Sequence, residues 1–469
     1  MLSLKFFNTL GRKKESFKHD KNKNVLIYCC GPTVYDYAHI GNFRTFLFED
    51  ILIRYLEYKG YKIKFVMNIT DIDDKTIKAS SENNVPLKEY TKKYEDAFFE
   101  DIKKLRIRKA ESYPRATEHI DNIVTHIKKL KELEFAYESN GSIYFSISKF
   151  KKYGTLSGEK NKNINNKKPI NSDEYSKNEI QDFALWKAWV QDDNNVFWDN
   201  ELGKGRPGWH IECSVMSTKL LNDSIDIHAG GVDLIFPHHE NEIAQAEALT
   251  NNKFVRYWLH AEHLIVEGKK MSKSEGNFFT LRDLLKEGYE PLTIRLLLIS
   301  SHYRSQLNFT INGLKQASEN IKRLQEIYTK VKLSKTKNGY DEELFKHTKT
   351  SKEKFERAMD DDFNMPVALS VIFNYVRIIN KYIDNTELTE MNKQEILDFF
   401  VKIDQILDVV NTKEKDQIFP EPRIEELIRR RNEARERKDW KKADEIRKEL
   451  LKSGFIIEDT SNGSIIKKK

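Results

Sequence analysis

Val25-Leu26-Ile27-Tyr28-Cys29-Cys30-Gly31-Pro32 decides the fold when it is set beside Lys62-Ile63-Lys64-Phe65-Val66-Met67-Asn68-Ile69-Thr70. The first stretch is a short apolar run of the buried-strand type, stopped by Gly-Pro. Between the two, from about Gly41-Asn42 to Gly60, Phe46, Leu47, Ile51, Leu52 and Tyr55 recur at helical spacing. Strand, helix and strand in roughly 45 residues predict a βαβ crossover, the unit of a parallel nucleotide-binding sheet.

Working outward, residues 88–133 carry a helical pattern. Residues 158–179 are dominated by Lys, Asn, Ser and Glu and read as an exposed, mobile loop inside an inserted domain. Ordered pattern resumes at Asp182-Phe183-Ala184-Leu185-Trp186, and 207–250 reads as helix, strand, helix. From about Leu314 the pattern is helical with few glycines, with 330–341 and 412–422 as linkers. A helical hairpin follows, with Ile424, Leu427, Ile428 and Ala434 on one apolar stripe and Trp440, Ala443, Ile446 and Leu450 on the other. Asp439 is placed to cap its second helix and Gly454 to end it. The fold expected is α/β: a Rossmann-type parallel-sheet catalytic domain split by an insertion, followed by an α-helical C-terminal half. The expected divisions are 1–120 (first Rossmann half), 121–204 (insertion), 205–262 (second half), 263–313 (lysine loop and stem contact), 314–411 (helical bundle) and 412–469 (small terminal domain).

The 469 residues allow roughly two to four domains. No apolar run is long enough for a membrane span and the N-terminus lacks signal-peptide architecture, so a cytoplasmic, membrane-free protein is expected. A net charge of +7 permits a polyanion partner without requiring one. The three cysteines, Cys29, Cys30 and Cys213, are too few for a disulfide framework and invite a metal or catalytic reading.

Two motifs suit phosphate. His39-Ile40-Gly41-Asn42 lies between the first strand and its helix, where free N–H groups and a positive dipole end meet ligands. Gly41 would let a base or phosphate approach the backbone, while His39 and Asn42 can donate hydrogen bonds. Lys270-Met271-Ser272-Lys273-Ser274 sets two cations and two hydroxyls on a short loop able to close over a triphosphate. Taken singly, each also fits a plain loop. Neither a Walker loop nor a GxGxxG fingerprint occurs.

A third constellation suits metal. His238 and Glu242, spaced i, i+4, share a helix face, and Cys213 and Cys30 complete a set suited to zinc. By spacing alone His238 equally fits a capping or surface histidine, and Glu242 a helix-face acid.

Together the two phosphate motifs resemble the signatures of class I aminoacyl-tRNA synthetases, with Asn42 standing where the commonest form has His. The resemblance to cysteinyl-tRNA synthetases is more specific. It runs through Tyr28 to Asn42, Asn68 to Lys75, Arg115-Ala116-Thr117, Trp209 to Cys213, Asp226 to Asp233, His238 to Glu242 and the lysine loop. It implies a single zinc ion on Cys30, Cys213, His238 and Glu242, and a cysteine pocket lined by Thr70, Trp209, His228 and Asp233. Asp233 would pair with the substrate ammonium and Trp209 would form an apolar wall, while Cys29 has no counterpart role and reads as a buried strand residue. ATP would meet His39, Gly41, Asn42, Lys270, Ser272 and Lys273, with His39, Asn42, Lys270 and Lys273 catalytic and Mg²⁺ accompanying the nucleotide.

The implied activity is ATP-dependent activation of L-cysteine and its transfer to tRNA(Cys) by a monomer. An apolar pocket separates serine from cysteine only weakly, whereas zinc binds a thiolate and leaves a neutral hydroxyl, so no editing domain is expected. Four candidate ligands leave no open position of the usual catalytic kind, and Glu242, the hardest donor, is the one expected to loosen. Asp361-Asp362-Phe363-Asn364 and the hairpin at Trp440 resemble the family's tRNA-side half, although Gly463-Ser464-Ile465-Ile466 lacks the aromatic that often ends it. The rival readings are a ligase joining activated cysteine to a small amine and a non-catalytic RNA-binding relative. The first would have little use for the helical half, and the second would be expected to lose lysine-loop or metal residues.

Overall fold

The computed structural model describes residues 3–159, 169–175, 181–273, 275–411, 422–460 and 463–468. Its first crossover is β1 (Asn24–Cys29), α1 (Ile40–Tyr58) and β2 (Lys62–Met67). Later in the chain come α2 (Trp209–Leu220), β3 (Ile225–Gly231), α3 (His238–Thr250) and β4 (Val255–Ala261). The four strands are parallel in the order β4-β3-β1-β2. From β1 the chain steps one way to β2 and later returns on the other side to β3. The carboxyl ends of β1 and β3 therefore diverge and open a crevice, the usual ligand position of such sheets.

Strand alternation sends adjacent cysteines to opposite faces. Cys29 packs into the core on the α1 side, as a wholly buried strand residue, while Cys30 joins the core that holds Cys213 and Ile243 of α2 and α3. Of residues 43–53 in α1 all but Thr45 are buried, so the helix is covered on nearly every face. That requires partners on both sides: the sheet on one, and the helices Pro291–Ile299 and Glu390–Leu407 on the other.

An antiparallel sheet interrupts the Rossmann halves, ordered Ala136–Ser139, Ser142–Phe145, Phe183–Ala188, Gly205–Pro207. The expected mobile loop lies outside the described residues at 160–168 and 176–180. Its middle departs from the expectation: Asp173 is buried, Ile170 bridges to Phe183, and Tyr175 packs edge-on against Phe236. A composition poor in apolar residues concealed these few anchors.

The helices Ile311–Leu333, Glu342–Asp360, Met365–Asn385 and Glu390–Leu407 form the bundle. One end of it, at the 360–365 turn and the close of the last helix, is clamped near α1. The fully buried Arg295 donates to Asp50 at 2.5 Å and to the Leu407 carbonyl at 2.6 Å. Asp362 accepts from Phe7 N–H at 2.8 Å, Tyr303 O–H at 2.7 Å and Arg304 Nε at 2.8 Å.

The terminal helices are Pro422–Glu436 and Trp440–Lys452, with Asp439 accepting from Lys442 N–H and Gly454 at φ +84°. Leu427, Ala434, Ala443, Ile446 and Leu450 are buried as expected, but Trp440 is 59% exposed. It occupies the first helical turn, outside the short interface that the smaller residues close. Linker residues 412–421 lie outside the described set. The chain ends in an antiparallel pair, Phe455–Thr460 with Gly463–Lys468, inside a region read as helical hairpin alone. Two Ile-Ile doublets around Ser461-Asn462-Gly463 carry that signal. Among the described residues no helix is long and apolar enough to cross a membrane.

Candidate active site

The crevice at the carboxyl ends of β1 and β3 is a cavity of about 730 Å³. The end expected to take the amino acid is walled by Cys30, Thr70, Trp209, Cys213, Asp233 and His238. The end expected to take phosphate is walled by His39, Gly41, Asn42 and Lys270. Apart from Lys270, which lies on the short strand Lys269–Lys270, each comes from the segment that follows a parallel strand or from a helix beside it, so residues more than 200 positions apart converge because β1 and β3 are neighbours.

At the amino-acid end, single donor atoms of Cys30, Cys213, His238 and Glu242 all lie within 4.8 Å of one another, and all four residues are buried. Glu242 Oε1 sits 3.2 Å from His238 Nε2 yet has no hydrogen-bond partner. Two facing donors that are close but misaligned for each other suit a shared third atom, and two thiols, an imidazole and a carboxylate are a zinc-type set. The residues fit a metal ion. Burial opposes ionisation of both thiols, and it holds Cys30 well above the ordinary thiol range.

An overlapping set, Cys30, His228, His239 and Glu242, meets the same distance criterion. The first set is the better ligand pocket, because three of its members face the cavity and neither His228 nor His239 does. His228 was expected to line the cysteine pocket, and the structure corrects this. It is wholly buried behind Glu242, with Nε2 3.1 Å from Glu242 Oε2 and its ring stacked on Trp258 at 4.6 Å. It can orient the carboxylate. Trp209 stacks on His238 at 4.3 Å, and His238 Nδ1 meets His210 Nδ1 at 3.0 Å, so the proposed ligand is held from both sides.

At the phosphate end, His39 and Asn42 form a reciprocal cap on α1: His39 Nδ1 accepts from Asn42 N–H, and Asn42 Oδ1 accepts from His39 N–H at 3.0 Å. Burial lowers the His39 pKa, so the ring is neutral near pH 7. With Nδ1 accepting, the proton belongs on Nε2, and that N–H and the Asn42 amide remain for a ligand. Gly41 faces the cavity and has a further reason beside the one expected. A Cβ there would lie 2.9 Å from the His39 ring, so the glycine makes room for the cap's own imidazole.

Lys270 faces the cavity, whereas Lys273 lies on its rim with Nζ 2.7 Å from Asp36 Oδ2 and 5.1 Å from the Phe278 ring centre. Ser272 does not line the cavity as expected. Its hydroxyl accepts from Glu275 N–H at 3.2 Å and its N–H donates to Asn277, which shapes the loop. Ser274 lies outside the described residues. Sequence reading missed Asp36, Asn68, Glu174 and Gln306. Asn68 accepts from Gly31 N–H at 2.9 Å and donates to Thr70 Oγ1 at 3.0 Å, fixing the cavity floor; only its place at the end of β2 hints at this.

Solved structures with this fold include the Mycobacterium tuberculosis methionyl-tRNA synthetase in complex with methionyl-adenylate. Its TM-score is 0.60 at 14% identity over 82% of this chain and 90% of that one. A putative arginyl-tRNA synthetase from Campylobacter jejuni gives 0.56 at 14% identity over 83% and 92%. Residues 16–319 match the family model described as tRNA synthetases class I (C) catalytic domain, which with the split sheet and its two-ended cavity defines a class I aminoacyl-tRNA synthetase. Residues 354–411 match a DALR domain and 421–464 a cysteinyl-tRNA ligase anticodon binding domain. The curated cysteine–tRNA ligases of Brachyspira hyodysenteriae and Chlamydia felis are 49% and 46% identical, over 100% and 99% of this chain and 100% and 98% of theirs. The chain belongs to the cysteine–tRNA ligase family.

Proposed function

We propose that this cavity activates L-cysteine with ATP, releasing pyrophosphate, and passes the cysteinyl group to the terminal adenosine of tRNA(Cys). The observation that carries the reading is that Cys30, Cys213 and His238 open onto the same cavity as His39 and Asn42. An amino-acid thiol and a triphosphate would therefore meet in one chamber.

The cysteine carboxylate is already ionised, so its attack on the α-phosphorus needs no general base. Alignment and charge stabilisation suffice. His39 Nε2–H and the Asn42 amide would donate to phosphate oxygens. Lys270 and Lys273 supply positive charge towards the leaving pyrophosphate, with Mg²⁺ accompanying the nucleotide. Asp233 at the wall suits the substrate ammonium, and Thr70 and Trp209 close the side-chain pocket. Cys30, Cys213, His238 and Glu242 would hold zinc, and a bound zinc ion would supply a strong preference for a thiolate over the serine hydroxyl.

The division of labour proposed is activation by 1–120 with 205–262, an insertion at 121–204, the lysine loop with stem contact at 263–313, and tRNA contacts by 314–411 and 412–469. The bundle and terminal hairpin support a tRNA acceptor over a small amine, which would have little use for them. ATP–pyrophosphate exchange that depends on cysteine, followed by charging of tRNA(Cys), is the expected result. Serine turning over within about ten-fold of cysteine would sink the thiol-selective reading.

A further inference from the structure

The inserted sheet carries two cations side by side in a place where charge is costly. Lys187 and Arg206 are register partners on neighbouring strands, and their side chains are only 3% and 8% exposed. Like charges directly opposite on a sheet repel, so a third group must hold them there. That group is Asp74, the first residue of the helix Asp74–Glu82 that follows β2. Its Oδ1 accepts from Lys187 Nζ at 2.8 Å and from Arg206 Nη2 at 2.7 Å. Arg206 Nε also donates to Asp193 Oδ1 at 2.9 Å. Burial alone would raise the Asp74 carboxyl, but the two cations hold it well below the carboxylate range.

Lys187 reaches one step further. Its Nζ is 2.8 Å from Asp173 Oδ1, and the same oxygen accepts from Trp209 N–H at 3.2 Å. Trp209 opens α2, whose N-cap is Gly208 and has no side-chain cap of its own, so Asp173 satisfies a helix-end donor and sits at the positive end of the helix. The tryptophan ring walls the amino-acid end of the cavity, and Cys213 follows one turn later on the same helix. A buried ion cluster of this kind seldom stabilises a fold more than apolar packing would. Its use is positional.

Resting on the cysteine-activating reading above, we propose that Lys187, acting through Asp173, is a positioning residue that sets α2 and Trp209 against the cysteine side chain. The inserted sheet thereby takes part in amino-acid selection without touching the substrate. Cysteine- and ATP-dependence of pyrophosphate exchange, measured on the full-length zinc-loaded protein, test this with Lys187→Met, Lys187→Arg, Asp173→Asn and the Lys187→Met/Asp173→Asn pair. Lys187→Met and Asp173→Asn should each raise KM for cysteine by about ten-fold and leave KM for ATP within about two-fold. The pair should cost less than the product of the single effects. Lys187→Arg should recover most of the loss. Thermal unfolding, read on the same samples, separates a general loss of folded protein from a shift in KM. Equal rises in both KM values, a loss that follows the folded fraction alone, or Lys187→Arg as impaired as Lys187→Met would each overturn the proposal. An unmutated protein without cysteine-dependent exchange would instead overturn the functional reading on which it rests.

Discussion

The two ends of the cavity are built by opposite means. At the amino-acid end, Cys30, Cys213, His238 and Glu242 are all buried and come from β1, α2 and α3, elements locked by the sheet and by stacked rings. At the phosphate end, Lys270 and Lys273 lie on an exposed segment, and Lys273 is 66% exposed at its side chain. A preformed wall suits discrimination between two small substrates that differ by one atom. A loop suits a ligand that enters highly charged and leaves in two parts. The contrast between a packed wall and an exposed segment can be broken at either end.

Cys213→Ser should give the largest effect. It removes one of the two thiols from the buried set, and cysteine-dependent exchange should fall on the order of a thousand-fold, with metal lost by elemental analysis. His239→Asn serves as the discriminating partner: retained metal supports the cavity-facing set, whereas metal lost from His239→Asn but kept in Cys213→Ser would select the overlapping one. Lys273→Ala comes next. Exchange kcat should drop by about a hundred-fold with KM for cysteine unchanged, as expected for charge supplied to the reacting phosphates. A matching rise in KM for cysteine would mean that the two ends are not separable. His228→Phe keeps the stack on Trp258 and removes the donor to Glu242. Metal affinity should weaken by about ten-fold, and chelator competition would reveal it. Unchanged affinity would deny His228 any hold on the carboxylate.

The same contrast governs what the sequence disclosed. The crossover was legible because β1 and β2 are continuous apolar runs around a helix of clear periodicity. Cys30, Cys213, His238 and Glu242 were legible as residue types and through family resemblance. Their convergence depends on β3 pairing with β1, a long-range fact that local pattern does not encode. His228 was misplaced for that reason: its strand position beside Tyr28 puts the ring behind Glu242, and motif proximity cannot tell a cavity wall from the layer beneath it. Asp173 was lost in a stretch whose composition reads as solvated, since one buried aspartate changes no average. Ser272 reads like a phosphate ligand in sequence because a hydroxyl that shapes a loop and one that meets a ligand look alike there.

The smallest expected effect probes the loop itself. Lys273 is held by Asp36, three residues before His39, through one partly exposed ion pair. A nucleotide that recruits Lys273 must compete with that carboxylate, so Asp36 both aims the loop at the cavity and opposes its transfer to phosphate. Exposed pairs of this kind contribute about 0.2–1 kcal/mol. If competition dominates, Asp36→Asn should lower KM for ATP by about two-fold, and the advantage should shrink as salt screens the pair in the unmutated protein. If aiming dominates, KM for ATP should rise instead, with the same salt dependence. The sign matters more than the size: a fall would make the ion pair a resting contact of the empty cavity, and a rise would make Asp36 part of the scaffold that presents the loop. Competition is the expected outcome, because His39 and Asn42 already fix their own helix end through a cap that does not involve Asp36.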